Sequence, residues 1–178
     1  RLDYPADAGI SVRFGVYNSL GVMKPSHSPI EPSAILSRLL LGAVVNGVRF
    51  GVLQILFDRA SAVGEPYLNL ASRWQLFGEK PREFPDLSAP ADEPSEQELI
   101  RAIELRHKEV AAVEVLSPWP HLVITFTDSS VLFVNGKDAQ YEPWSAGLAH
   151  APRDFQTAVI VCPGGEMAFI LPQQQLAT

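Results

Sequence analysis

One cysteine, two methionines and four histidines are all that the 178 residues offer to thiol, thioether or imidazole chemistry. A lone thiol, Cys162, excludes an intrachain disulfide and a multi-cysteine metal site. His27, His107, His121 and His150 are scattered, without the spacing that puts two imidazoles on one face, so no metal and no cofactor is expected. A Gly-x-Ser-x-Gly elbow is missing, and with it the usual signature of a serine hydrolase. Basic residues are also few. Fourteen Lys/Arg against twenty Asp/Glu leave a formal charge of −6, which argues against nucleic acid or an anionic membrane surface as partner. The one long apolar run, residues 39–57, is broken by Gly47 and Gly51 and carries Asn46, Arg49 and Gln54 near its middle. A central arginine costs about 2.5–3.5 kcal/mol in a membrane span, so the run reads as a helix end and two strands. With one cysteine and no basic stretch leading into an apolar one at the start, the expectation is a cytoplasmic chain.

What is present is enough apolar material for a core, 47% hydrophobic against 19% charged, and a pattern that occurs twice. Residues 33–74 and 95–144 each run from a short helix into alternating apolar strands and finish at a tryptophan, Trp74 or Trp144. Leu53-Gln-Ile-Leu-Phe57-Asp58 in the first matches Leu122-Val-Ile-Thr-Phe126-Thr-Asp128 in the second, and both aspartates stand 16 residues before their tryptophan. The fold class expected is α+β, predominantly β, built from two similar helix-plus-antiparallel-sheet units.

The divisions follow from punctuation. Residues 1–32 hold one strand, 10–17, with apolar residues at every second position. The first unit spans 33–77: Ser33 caps a helix over 34–41, Gly42 ends it, and strands follow at 44–50, 52–57, 67–71 and 74–77. Residues 78–94 carry four prolines and little periodicity, and read as a linker. The second unit spans 95–172. Ser95 and Glu98 fit a capping box for a helix to about Arg106, with Leu99, Ala102, Ile103 and Arg106 on one face. Strands are expected at 109–116, 121–127, 130–135 and 141–145, then a hairpin of 155–162 and 166–171 turning at Pro163-Gly-Gly165. Residues 173–178 form a tail.

Charge is unevenly divided. Residues 1–90 carry nine Lys/Arg and eight Asp/Glu, residues 91–178 five and twelve, so the second unit is the acidic one. Solubility alone accounts for such a face; a sharper reading is that it steers a basic partner. Cys162 ends an apolar strand, where a cysteine acts as a small hydrophobe, and only His150 and Arg153 lie near it in sequence. Trp74 and Trp144 read as core lids. Trp119, set between Pro118 and Pro120 with His121 beside it, is either a rigid surface anchor or buried under its loop.

The segment Gly136-Lys-Asp-Ala-Gln-Tyr141-Glu142-Pro-Trp144, followed by Val161-Cys-Pro163-Gly164-Gly165-Glu166, resembles the ending of a family of small bacterial proteins. Those sequences close on a Tyr-Glu-x-Trp strand and a Pro-Gly-Gly-Glu hairpin after a Phe-x-Asp-type strand turn, and relatives of this kind occur among the immunity proteins encoded beside polymorphic toxins. The resemblance covers the last 35 residues or so and loosely the 122–134 hairpin; residues 146–154 make a longer loop than the pattern has. It implies a non-enzymatic protein that binds one toxin, and it carries no site residues. The expected partner is a toxin with a basic groove, a nuclease or a deaminase. Trp119 and His121 would form the central anchor, and Asp92, Glu93, Glu96, Asp138 and Glu142 the acidic surround. The alternatives are a small enzyme with a pocket between the units and His121 or His150 as base, and an accessory binding domain.

Overall fold

The structure is a computed structural model that describes residues 31–60, 63–87 and 96–172. The strand expected over 10–17, the cap at Ser95, the carboxylates Asp92 and Glu93, and the tail lie outside the described residues. Within them the chain is α+β and mostly β, with two helices and two antiparallel sheets.

Helix α1 (Pro32–Leu40) opens on a proline, which fits a first turn because no N–H is needed there. Its cap is Glu31, whose carboxylate accepts from the Ser33 N–H at 3.4 Å, and not Ser33 as the sequence predicts. The Ser33 hydroxyl is engaged elsewhere, accepting from the Val115 N–H at 3.0 Å. Ile35, Leu36, Leu39 and Leu40 form the buried face, and Gly42 at φ +72° turns the chain out of the helix. Strands β1 (Val44–Arg49), β2 (Leu53–Asp58), β3 (Glu65–Leu70) and β4 (Trp74–Phe77) follow. The apolar run 39–57 is thus divided between a helix and two strands, and no helix among the described residues is long and apolar enough to cross a membrane.

Helix α2 (Glu96–Glu104) buries Ala102, with Leu105 buried just beyond its end. The face predicted from spacing is therefore rotated: Ile103 is 56% exposed and Ile100 52%. The helix stops at Glu104, and the turn over residues 105–107, with His107 at φ +68°, swings Leu105 inward. After it come β5 (Val110–Val115), β6 (Leu122–Phe126), β7 (Val131–Val134), β8 (Trp144–Ala149), β9 (Ala158–Val161) and β10 (Met167–Ile170).

The strand orders are β1-β2-β3-β8-β9-β10 in the larger sheet and β4-β7-β6-β5 in the smaller. The pairing is unchanged when the two copies are interchanged. Val45 pairs with Phe57 and, past a bulge, Gly47 with Leu56; Val110 pairs with Phe126 and, past a bulge, Ala112 with Thr125. Leu70 faces Trp144, and Val134 faces Trp74. Each copy's closing strand therefore lies in the other copy's sheet, β4 beside β7 and β8 beside β3. Val44 and Glu109, which precede the two bulged valines, bridge each other. This correspondence corrects one sequence match. With Phe57 equivalent to Phe126, Asp58 corresponds to Thr127, and Asp128 sits one position further on, in the turn.

One core joins the inner faces of both sheets with α1, and includes Leu36, Phe57, Leu68, Phe126, Leu132 and Trp144. Each such side chain contributes about 1.5–3 kcal/mol by leaving water. A second cluster lies on the outer face of the smaller sheet, where Phe77, Phe84 and Leu87 cover Val123, Val131 and Phe133. The Phe84 and Phe133 rings stack at 4.6 Å. The first part of the segment read as a linker thus serves as a lid on that sheet. The larger sheet's outer face instead carries a polar row. Arg49 donates to Gln54 at 3.2 Å, Gln54 to Asn69 at 2.8 Å, and Asn69 to the Ser145 hydroxyl at 3.1 Å.

The β6–β7 turn is held by Asp128, which accepts from Lys108 and, at 2.5 Å, from the Ser130 hydroxyl. The bond from the Lys108 ammonium, then that from Ser130, pulls its carboxyl down to about 2 from the ordinary 3.8. The folded state thus binds fewer protons than the unfolded chain between these values. The stabilisation is complete above about pH 4 and is lost as pH falls through about 2. Asp128 is half exposed, so the pair is worth no more than about 1 kcal/mol. Asp128→Asn should lower the urea midpoint slightly at pH 7 and by less at pH 2.5. An equal shift at both values would show that the charge contributes nothing.

Candidate functional site

The two crossovers between sheets meet at one end of the molecule. The N–H groups of Ala71 and Ser72 both donate to the Pro143 carbonyl, at 3.0 and 2.9 Å. The Ser72 hydroxyl donates to the Asn135 carbonyl at 2.5 Å, and the Asn135 N–H to the Arg73 carbonyl at 2.9 Å. Asn135 is buried, and its side-chain amide donates to the carbonyls of Leu87 and Lys137 and accepts from the Lys137 N–H. A buried amide so fully used is a structural joint.

Three loops gather on this joint. The first, between β5 and β6, carries Trp119 and His121 and has a cis bond between Ser117 and Pro118. The second, residues 136–143, links β7 to β8. The third is the Pro163–Gly165 turn between β9 and β10. Gly136 is packed so closely on the first loop that a Cβ there would lie 2.0 Å from the Pro120 carbonyl oxygen. That same carbonyl accepts from the Trp144 indole at 2.8 Å. The Gly164 N–H donates to the Asp138 carbonyl at 2.7 Å, joining the third loop to the second. As the sequence predicts, both turn glycines have positive φ, +83° and +88°. Gly165 lies under Trp119, where an added Cβ would come within 2.9 Å of the ring.

Trp119 is half-buried, one part of its ring packed on Gly165 while the Lys137 ammonium stands 5.5 Å from the ring centroid. Such a cation over an indole face is an attractive arrangement. His121 is half-buried too. Its Nδ1 accepts from the Gly136 N–H at 2.9 Å, which fixes the neutral tautomer with the proton on Nε2, and its ring lies 5.2 Å from that of Phe133. Burial is the main reason its pKa lies below the ordinary value; nearby Lys137 adds to this, and Asp86 opposes it. His121 is thus a neutral clamp between loops.

The acidic residues divide. Asp138 folds its carboxylate back onto its own exposed loop, accepting from the N–H groups of Gln140 and Tyr141 at 2.8 and 2.9 Å. Glu142 is exposed, and with Glu166 it lies near enough to Cys162 to hold the thiol's pKa up, after burial, which is the larger cause. A thiol protonated in this way is a poor nucleophile. Glu96 is exposed at the start of α2, whose Arg101 lies 3.5 Å from the Leu76 carbonyl of the smaller sheet. His150, exposed at φ +57°, closes the far end of β8. Among the described residues no group of three His, Cys, Asp or Glu could hold a metal ion.

Two parts of this surface escaped the sequence reading. Tyr141, expected in a strand, precedes one, because Pro143 has no N–H for a ladder and β8 begins at Trp144; the tyrosine is 68% exposed. The β1–β2 hairpin is the counterpart of the Trp119 loop and lies at the same end, with Phe50 58% and Val52 64% exposed. Neither residue has a periodic signal, since both stand outside the buried alternation. No family model, curated protein or solved structure matches the chain.

Proposed function

We propose that this chain is an immunity protein that binds a toxin acting on nucleic acid, a nuclease or a deaminase, and occludes its basic substrate groove. The observation that carries the reading is the three-loop surface, on which the exposed Tyr141 and the half-buried Trp119, with Lys137 over its ring, share loops with the exposed Glu142, while Glu166 follows the third turn. Aromatic side chains on pre-ordered loops lose little entropy on binding and are enriched among interface anchors. Carboxylates around them raise the rate of encounter with a basic groove and select against acidic partners. The occluding mechanism is steric and electrostatic, and a standard tight interface buries about 1,200–2,000 Å². His121 and Asp138 contribute in this reading by holding the loops that present the surface. Partner binding falls to Trp119, Tyr141, Glu142 and Glu166.

The test is calorimetry with the purified product of the toxin gene encoded beside this one. Trp119→Ala and Tyr141→Ala should each weaken binding by about 1–3 kcal/mol, roughly 5- to 150-fold, and Glu142→Lys should chiefly slow association. Unaltered affinity in all three variants would remove this surface from consideration. No binding by the unaltered chain would remove the immunity reading itself.

A further inference from the structure

Hydrogen bonds of two kinds tie the Trp119 loop to its neighbours. The Trp144 indole donates to the Pro120 carbonyl, and neither group gains or loses a proton near neutral pH. The Gly136 N–H donates to His121 Nδ1 at 2.9 Å, and there the acceptor is a lone pair that a proton can take. Once Nδ1 carries a proton, two N–H groups point at each other and the ring has no acceptor left to offer. Gly136 is buried, so its N–H has no water to turn to. The backbone of His121 is bonded within its own loop, its N–H donating to the Trp119 carbonyl at 2.7 Å and its carbonyl accepting from the Leu116 N–H at 2.9 Å. Relief therefore comes from turning the ring or from moving the loop as a unit.

The surroundings favour that movement. On the segment that covers the smaller sheet, Phe84 stacks on Phe133, whose ring lies 5.2 Å from that of His121, and the Leu87 carbonyl accepts from Asn135. Asp86 stands between these two contacts, exposed, and its charge favours the imidazolium. Lys137, on the loop that also carries Gly136, opposes it. Asp86 and Lys137 are the charged groups that act on His121 among the described residues, while β7 presents it with Phe133. One charge thus draws the imidazolium towards the covering segment, and the other drives it from the loop that the neutral ring clamps.

We infer that His121 is a proton-operated latch: neutral, it closes the Trp119 loop on the 136–143 loop, and on gaining a proton at Nδ1 it lets that loop open. The latch belongs to the fold and does not depend on what the loops bind. Its sign follows from the closed state, in which burial, the larger cause, and Lys137 hold the His121 pKa below the ordinary 6.5. An open loop restores an ordinary imidazole. The closed form is therefore fully favoured above about pH 6.5 and loses up to about tenfold per pH unit below it, until the closed form itself takes up the proton.

Hydrogen exchange in the free, unaltered chain reads this at the Gly136 amide. Corrected for the intrinsic rate, its protection should fall between pH 7.5 and pH 5 by up to about 30-fold, in step with protonation of Nδ1 followed in the nitrogen resonances of the ring. The Ile124 and Leu132 amides, paired in the middle of the smaller sheet, should keep theirs. In His121→Asn the side-chain oxygen replaces Nδ1 as an acceptor that does not titrate, so protection at Gly136 should not vary with pH. Constant protection at Gly136 while His121 takes up its proton overturns the latch, as does an Nδ1 already protonated at pH 7.5. A matching loss at Ile124 and Leu132 means unfolding of the whole sheet and overturns it too. These readings need only the unaltered chain, and a fall of equal size in His121→Asn would assign the opening to another group. No toxin enters the experiment, so the latch can fail while the binding surface stands, and the reverse.

Discussion

Gly136→Ala should cost this protein about 3 kcal/mol or more, a large share of the roughly 5–15 kcal/mol that holds a domain folded. The added methyl would sit 2.0 Å from the Pro120 oxygen, 2.3 Å from its carbonyl carbon and 2.7 Å from the His121 nitrogen. All three are backbone atoms, so no side chain can rotate away, and the loop must move as a body. Moving it separates the Trp144 indole from the Pro120 carbonyl and His121 from the Gly136 N–H. Gly78→Ala is the control: nothing lies within 4 Å of its added Cβ, and a change within about 0.5 kcal/mol is expected. Urea unfolding of the two variants decides the matter. A Gly136→Ala midpoint equal to that of Gly78→Ala would mean that the loop is not fixed where the structure has it.

Trp144→Ala should be comparably damaging, about 3–5 kcal/mol, since Trp144 heads the fully buried side chains by volume and faces Leu70 across the exchanged strand pair. Trp144→Phe separates two contributions. It keeps most of the apolar volume but withdraws the only donor on the ring, leaving the buried Pro120 carbonyl without its indole partner, at about 1–3 kcal/mol. Both variants should also loosen the Trp119 loop, visible as faster amide exchange over residues 117–121. Trp144→Phe with wild-type stability and unchanged exchange would show that the indole hydrogen bond adds nothing.

Much of the scaffold was legible because its signals are local. Alternation placed β2, β6 and β7 to within a residue or so, Gly42 marked the end of α1, and the Pro163–Gly165 turn required its positive φ values. Partner choice is not local. Nothing in the periodicity of Trp74–Phe77 says that it pairs with Val131–Val134 instead of with its own copy, because an apolar alternation fits either sheet equally well. Phe84 and Leu87 were missed for a related reason: isolated apolar residues among prolines carry no period, yet two of them suffice to cover a sheet face. At the candidate surface, residue type and setting single out Trp119 and Glu142 as candidates. They could not show that Asp138 folds back onto its own loop or that Pro143 leaves Tyr141 outside the ladder.

The exchanged closing strands also set a timetable for folding. Asn69 and Ser145, neighbours across the β3–β8 pair, are separated by 76 residues of sequence. A ribosome delivering the chain from its N-terminus completes β1, β2 and β3 long before the strand that flanks them exists. The first three strands must wait with an open flank until residues 144–149 emerge, and only then can β9 and β10 be added. Contacts of such separation make folding slow relative to a protein of local hairpins. A chain stopped short of Trp144 would hold β1, β2 and β3 with nothing beyond them, which is a substrate for proteases and aggregation, not a smaller working protein.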